Sequence, residues 1–81
     1  MTTAEELKSW FSREVLEGQD VGLDEETQLI ELGLIDSITT IKLQTFVASR
    51  FGVEIPLKQL TAENLGSIRA ITSMIERLQK P

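Results

Sequence analysis

The chain has 81 residues, enough for one domain with one modest hydrophobic core. It contains neither cysteine nor histidine, which removes disulfides, thiolate metal sites and the commonest general base. With 8 basic against 13 acidic side chains and a net charge of −5, it lacks the basic excess of a nucleic-acid binder; its apolar runs are too short to span a membrane.

The first residues are acidic, without the basic start and apolar stretch of a signal peptide, so a cytoplasmic, single domain over residues 1–81 is expected. Thr3 followed by Glu6 fits a capping box, in which each side chain satisfies a free backbone donor at a helix start. Leu7, Trp10, Phe11 and Val15 then recur at helical spacing and Gly18 stops the run, which predicts a first helix over residues 4–17. Trp10 and Phe11 read as core.

Residues 18–36 show no clear period. Acids (Asp20, Asp24, Glu25, Glu26, Glu31) alternate there with Leu23, Leu29, Ile30, Leu32, Leu34 and Ile35. A connection this long in so small a domain usually has a job, and its apolar residues predict that it packs over the core with its acids solvated.

The second helix is predicted over residues 37–51. Asp36 is a suitable N-cap, because its carboxylate accepts a bond from a free N–H and its charge suits the helix dipole. Leu43, Phe46, Val47 and Phe51 supply apolar positions and Gly52 the exit. Ile38 reads as core ahead of a partner contact; Ile41 lies at the edge of the apolar stripe. Val53, Ile55 and Leu57 flank Pro56 in a short extended connection. Thr61 caps one short turn, and Ser67 caps a last helix with Ile68, Ile71, Ile75 and Leu78 on one stripe. The predicted fold is all-α: three main helices plus one short one, with a long loop between the first two.

A self-contained nucleophilic catalyst is hard to build from this inventory. Ser37 has only Asp36 beside it, and Lys42, five residues on, lies off its helix face. The carboxylates Asp24, Glu25 and Glu26 are not framed as an acid–base pair or a calcium loop, so no metal site is expected. A non-catalytic chain is the reading. A serine in the first turn of a helix is, however, well placed to carry an attached phosphate.

Gly33-Leu34-Ile35-Asp36-Ser37-Ile38 resembles the Gly-x-x-Asp-Ser-Leu signature of acyl and peptidyl carrier proteins. Phe51-Gly52-Val53-Glu54-Ile55-Pro56 resembles the family's second landmark, one helix length further on, and Leu29-Ile30-Glu31-Leu32-Gly33 its lead-in. The similarity runs from the first helix to Leu78. It implies an acyl-carrier-like bundle whose Ser37 hydroxyl takes 4′-phosphopantetheine from coenzyme A, under a separate phosphopantetheinyl transferase and Mg²⁺. Asp36 matches the family's aspartate, which caps the helix and assists the transferase. The terminal thiol of the arm then carries acyl or aminoacyl groups as thioesters between enzymes. Ile38 stands where the family has leucine, a conservative change.

Carriers of fatty-acid synthesis display acids along the helix after the serine; here that helix holds Lys42 and Arg50 and no acid. Surface charge steers encounter and rejects wrong partners, so the chain is expected to serve a dedicated pathway, as a discrete, monomeric carrier of nonribosomal peptide or polyketide (antibiotic) biosynthesis. Ile38, Ile41, Lys42 and Arg50 are the expected contacts for its adenylating or acyl-transferring loading enzyme and for downstream synthase or tailoring enzymes. The alternatives are a D-alanyl carrier for teichoic acid, a general fatty-acid carrier and, outside the family, an unmodified helical adaptor.

Overall fold

The first helix, α1 (Thr3–Glu14), opens on a capping box formed by Thr2 and Glu5. The Glu5 N–H donates to Thr2 Oγ1 at 3.1 Å and the Thr2 N–H to Glu5 Oε1 at 2.8 Å. The box therefore sits one residue before the expected Thr3–Glu6 pair. Both registers of the Thr-x-x-Glu pattern exist in the sequence, and the earlier one leaves Glu6 free to pair with Arg50. In the computed structural model residues 2–18 and 22–79 are described.

α1 also ends at Glu14, three residues short of the expected end at residue 17. The Leu16 N–H reaches back to the Phe11 carbonyl at 2.9 Å, and the Gly18 N–H to the Ser12 carbonyl at 2.7 Å. These wider closures turn Glu17 and Gly18 into the left-handed region, at φ 51° and 85°. The turn buries Leu16.

The long connection is tied to the far end of the molecule. The Leu29 N–H donates to the Gly66 carbonyl at 2.9 Å, and the Arg69 N–H to the Glu25 carbonyl at 3.0 Å. Leu29 is fully buried, while Leu23, Leu34 and Ile35 pack against the core from its edge. Of the loop's acids, Asp24 accepts bonds from the Glu26 N–H and the Thr27 hydroxyl, and Glu26 pairs with Arg69 at 2.8 Å. Asp20 lies outside the described residues.

α2 (Ser37–Phe51) has the expected bounds, with Asp36 as N-cap and Gly52 as a left-handed exit at φ 68°. Leu43 and Val47 are its buried residues. A 3-10 turn follows at Leu57–Gln59, so Leu57 belongs to a turn and is 84% exposed, while Val53 and Ile55 are buried. Thr61 caps α3 (Ala62–Leu65) through the Asn64 N–H. Ser67 Oγ accepts from the Ala70 N–H at the head of α4 (Ile68–Gln79).

The core is a single apolar cluster in which Leu7, Phe11, Leu29, Leu43, Val47, Ile68, Ile71, Met74 and Ile75 are fully buried. α4 packs against both α1 and α3. An aromatic chain joins α1 to α2: Trp10 stacks on Phe46 with ring centres 5.3 Å apart, and Phe46 meets Phe51 edge-on at 5.8 Å. The fold is thus the expected all-helical bundle of three main helices and one short one.

Candidate functional site

Asp36 builds the head of α2. Its Oδ1 accepts the Thr39 N–H at 2.8 Å, and its carbonyl accepts the Thr40 N–H at 2.9 Å and the Thr40 hydroxyl at 2.7 Å. The bonds from Thr39, its backbone N–H first, hold the Asp36 carboxyl below the ordinary aspartate range. Leu34 and Ile35, half-buried against the core, fix the chain just before this cap. The cap is thereby anchored from both sides.

Ser37 is the first residue of the helix proper and is exposed. Its hydroxyl has no hydrogen-bond partner among the described residues. Among the described residues no side chain hydrogen-bonds it as a general base would, and the neighbouring Asp36 carboxylate accepts from the Thr39 N–H instead. An exposed, unpaired hydroxyl at the positive end of a 15-residue helix is chemically suited to hold a phosphodiester. The residues present fit an attached phosphate-linked group. Among the described residues no cluster of three or more His, Cys, Asp or Glu side chains is arranged to hold a metal ion, and no helix is long and apolar enough to cross a membrane.

Ile38 corrects an expectation. It is 67% exposed, not core. The buried stripe of α2 runs through Leu43 and Val47, and position 38, five residues before Leu43, is rotated well away from it. Ile41 is 62% exposed, so two large apolar side chains stand in solvent within one turn of Ser37. Lys42 is exposed and makes no ion pair among the described residues. Arg50 is different: its Nε–H is paired with Glu6 Oε1, across the α1–α2 junction. The two cations of α2 therefore have separate situations, which sequence alone did not distinguish.

The structure also brings together a groove with no motif of its own. Trp10, Arg13 and Glu14 of α1 face Ile41, Lys42, Thr45, Phe46 and Ser49 of α2 around a volume of ≈ 640 Å³. Its one sequence signature is the row Ser37, Ile41, Thr45, Ser49, at four-residue spacing on one helix face.

Comparison with known proteins agrees with this arrangement. Residues 6–75 match the family described as phosphopantetheine attachment site. A probable acyl carrier protein, PigG, of Serratia sp. is 26% identical over 73 residues, spanning 90% of this chain and 84% of that one. A D-alanyl carrier protein of Enterococcus faecalis is 32% identical over 66 residues, spanning 82% of this chain and 77% of its own. A solved chain, in a structure titled as that of an FAD-dependent dehydrogenase, superposes with a TM-score of 0.83 at 28% identity, spanning 86% of this chain and 99% of that one. The chain belongs to the phosphopantetheine attachment family: it is a carrier protein whose cofactor is a covalently attached 4′-phosphopantetheine.

Proposed function

We propose that Ser37 is the attachment residue and that the chain is a non-catalytic substrate of a phosphopantetheinyl transferase. The observation that carries this is the exposed, unpartnered hydroxyl at the first position of α2, directly behind the Asp36 cap. The attached arm supplies a thiol, which this cysteine-free chain lacks, for carrying acyl or aminoacyl groups as thioesters. The chain's own residues have three tasks. Ser37 offers an oxygen for the phosphodiester, Asp36 holds the helix head and presents it to the transferase, and Ile38 and Ile41 offer exposed apolar contacts to the loading enzyme. Digestion after incubation with coenzyme A and a broad-specificity transferase tests the assignment: the added unit belongs on the peptide containing Ser37. Its location on any other hydroxyl overturns it.

The pathway is proposed to be a dedicated, cytoplasmic one in nonribosomal peptide or polyketide biosynthesis, with general fatty-acid synthesis disfavoured. Support comes from an α2 bearing Lys42 and Arg50 and no acid, and from the likeness to an acyl carrier outside the D-alanyl group. The solved chain in the FAD-dependent dehydrogenase structure is about the size of this one, which makes a flavin dehydrogenase a downstream partner to test first. A second reading, a D-alanyl carrier, is favoured by the 32% identity to the Enterococcus protein. Loading assays separate the two. Thioester formation with a D-alanine-adenylating ligase, and not with ligases for other amino or aryl acids, selects the D-alanyl reading.

A further inference from the structure

We propose that Lys42 is an acyl acceptor: a cargo left waiting on the arm passes from the thioester sulfur to the Lys42 amine and stays there as an amide. This rests on Ser37 being the anchor. The chain has no cysteine and no histidine, so lysine amines are the strongest nucleophiles it can offer its own cargo. Arginine does not compete, because its guanidinium stays protonated. In the transfer the amine nitrogen attacks the thioester carbonyl, a C–N bond forms and the C–S bond breaks. The sulfur leaves as thiolate and takes up the proton that the nitrogen gives up, so no oxidant, metal or further reactant is required. The products are an arm with a free thiol and a Lys42 side chain without its charge.

Placement singles out Lys42 among the described lysines, which are Lys8, Lys42 and Lys58. Lys42 is exposed and makes no ion pair among the described residues. It is the lysine of α2, about 7.5 Å along the axis from Ser37. It lies too far round the helix to touch the Ser37 hydroxyl itself, but a group at the end of a long flexible arm has no such restriction. Lys42 shares a surface hollow with Ile41 and Thr45, which follow Ser37 at four-residue spacing, and Arg13 and Glu14 face it from α1. Lys8 is remote. Glu6 pairs with Arg50 and Trp10 stacks on Phe46, so α1 runs antiparallel to α2 and Lys8 lies level with Ala48, about 16 Å down the axis. Lys58 stands on the 3-10 turn beyond Ile55, off the anchor's helix. For a flexible tether the effective concentration peaks where its r.m.s. length matches the span, well short of full extension, which favours the nearest amine. Holding amine and carbonyl together in this way turns a bimolecular acylation into an intramolecular one.

The test uses acetyl-coenzyme A as donor, so that a broad-specificity phosphopantetheinyl transferase installs the arm already acetylated. Intact mass establishes the acetylated arm; its absence would remove Ser37 as anchor and this proposal with it, whereas every later outcome leaves the attachment standing. The desalted protein is then kept in mildly alkaline buffer, and hydroxylamine strips the remaining thioester while sparing amides. The expected result is a hydroxylamine-resistant acetyl group on the peptide containing Lys42, formed at a rate independent of protein concentration. It should be lost in Lys42→Arg and absent from Ser37→Ala treated identically. Loss of all acetyl by hydrolysis, an equal amide yield on Lys8 or Lys58 or in Ser37→Ala, or a rate that grows with protein concentration overturns the proposal.

Discussion

Asp36 and Ser37 stand side by side at the head of α2 in opposite environments. Asp36 is engaged: its carboxylate is held by the Thr39 N–H and is depressed below its usual range. A depressed carboxyl contributes stability that is present above its unfolded pKa and is lost as pH falls through its folded pKa. Glu5, lowered by its bonds with Thr2, acts in the same direction at the head of α1. Acid titration followed by circular dichroism is therefore expected to show α2 weakening below the ordinary carboxylate range. Asp36→Asn should keep the cap and flatten its share of that pH dependence, because asparagine accepts the same bond without titrating. An unchanged profile in Asp36→Asn would assign the acid sensitivity elsewhere. Ser37, by contrast, is unengaged, so replacing it costs the fold nothing that these contacts supply.

At the scale of elements, the long connection is the part whose form matters most. It is stapled to the α3–α4 junction by two backbone bonds and by one fully buried side chain, Leu29. Leu29→Ala is expected to lower unfolding stability by about 2–5 kcal/mol, read by urea denaturation, since a buried leucine is replaced by a cavity. Gly66, whose carbonyl receives the Leu29 N–H, has no space for a side chain: a Cβ there would lie 2.9 Å from the Ala62 carbonyl oxygen. Gly66→Ala should cost roughly 1–3 kcal/mol by the same assay, as overpacking at a tight position does. Wild-type stability in either variant would mean the connection is not held as described.

Much of this was legible in the sequence. The bounds of α2, its Asp36 cap and its Gly52 exit follow from side-chain chemistry at adjacent positions. At position 38 apolar identity points to the core, but rotation about the helix axis decides: five residues from Leu43 is the wrong side of the stripe. The capping box slipped by one because Thr2–Glu5 and Thr3–Glu6 satisfy the same local pattern. Only a contact between distant elements, Glu6 with Arg50, separates the two registers. The α1–α2 groove was invisible for the same reason: it is made by two helices more than twenty residues apart.

Across the whole molecule, charge is arranged unevenly, and this bears on partner choice. Arg50 is paired with Glu6, a partly exposed bridge worth about 1 kcal/mol, while Lys42 makes no ion pair among the described residues and lies beside two exposed isoleucines. The two reversals should therefore behave differently. Lys42→Glu is expected to slow acylation by the cognate loading enzyme, with a defect that shrinks as salt rises, and to leave helicity unchanged. Arg50→Glu faces Glu6 with a like charge and should lower thermal stability modestly, with recovery in Glu6→Arg/Arg50→Glu. Equal loading kinetics for wild type and Lys42→Glu would remove the steering role of that cation.

The Ser37 hydroxyl is proposed to take the phosphopantetheine arm. This assignment is tested most directly by intact mass after incubation with coenzyme A, Mg²⁺ and a broad-specificity phosphopantetheinyl transferase. Wild type is expected to gain one phosphopantetheinyl unit, and Ser37→Ala, folded by circular dichroism, none. No gain in wild type, or an equal gain in Ser37→Ala, would contradict the account.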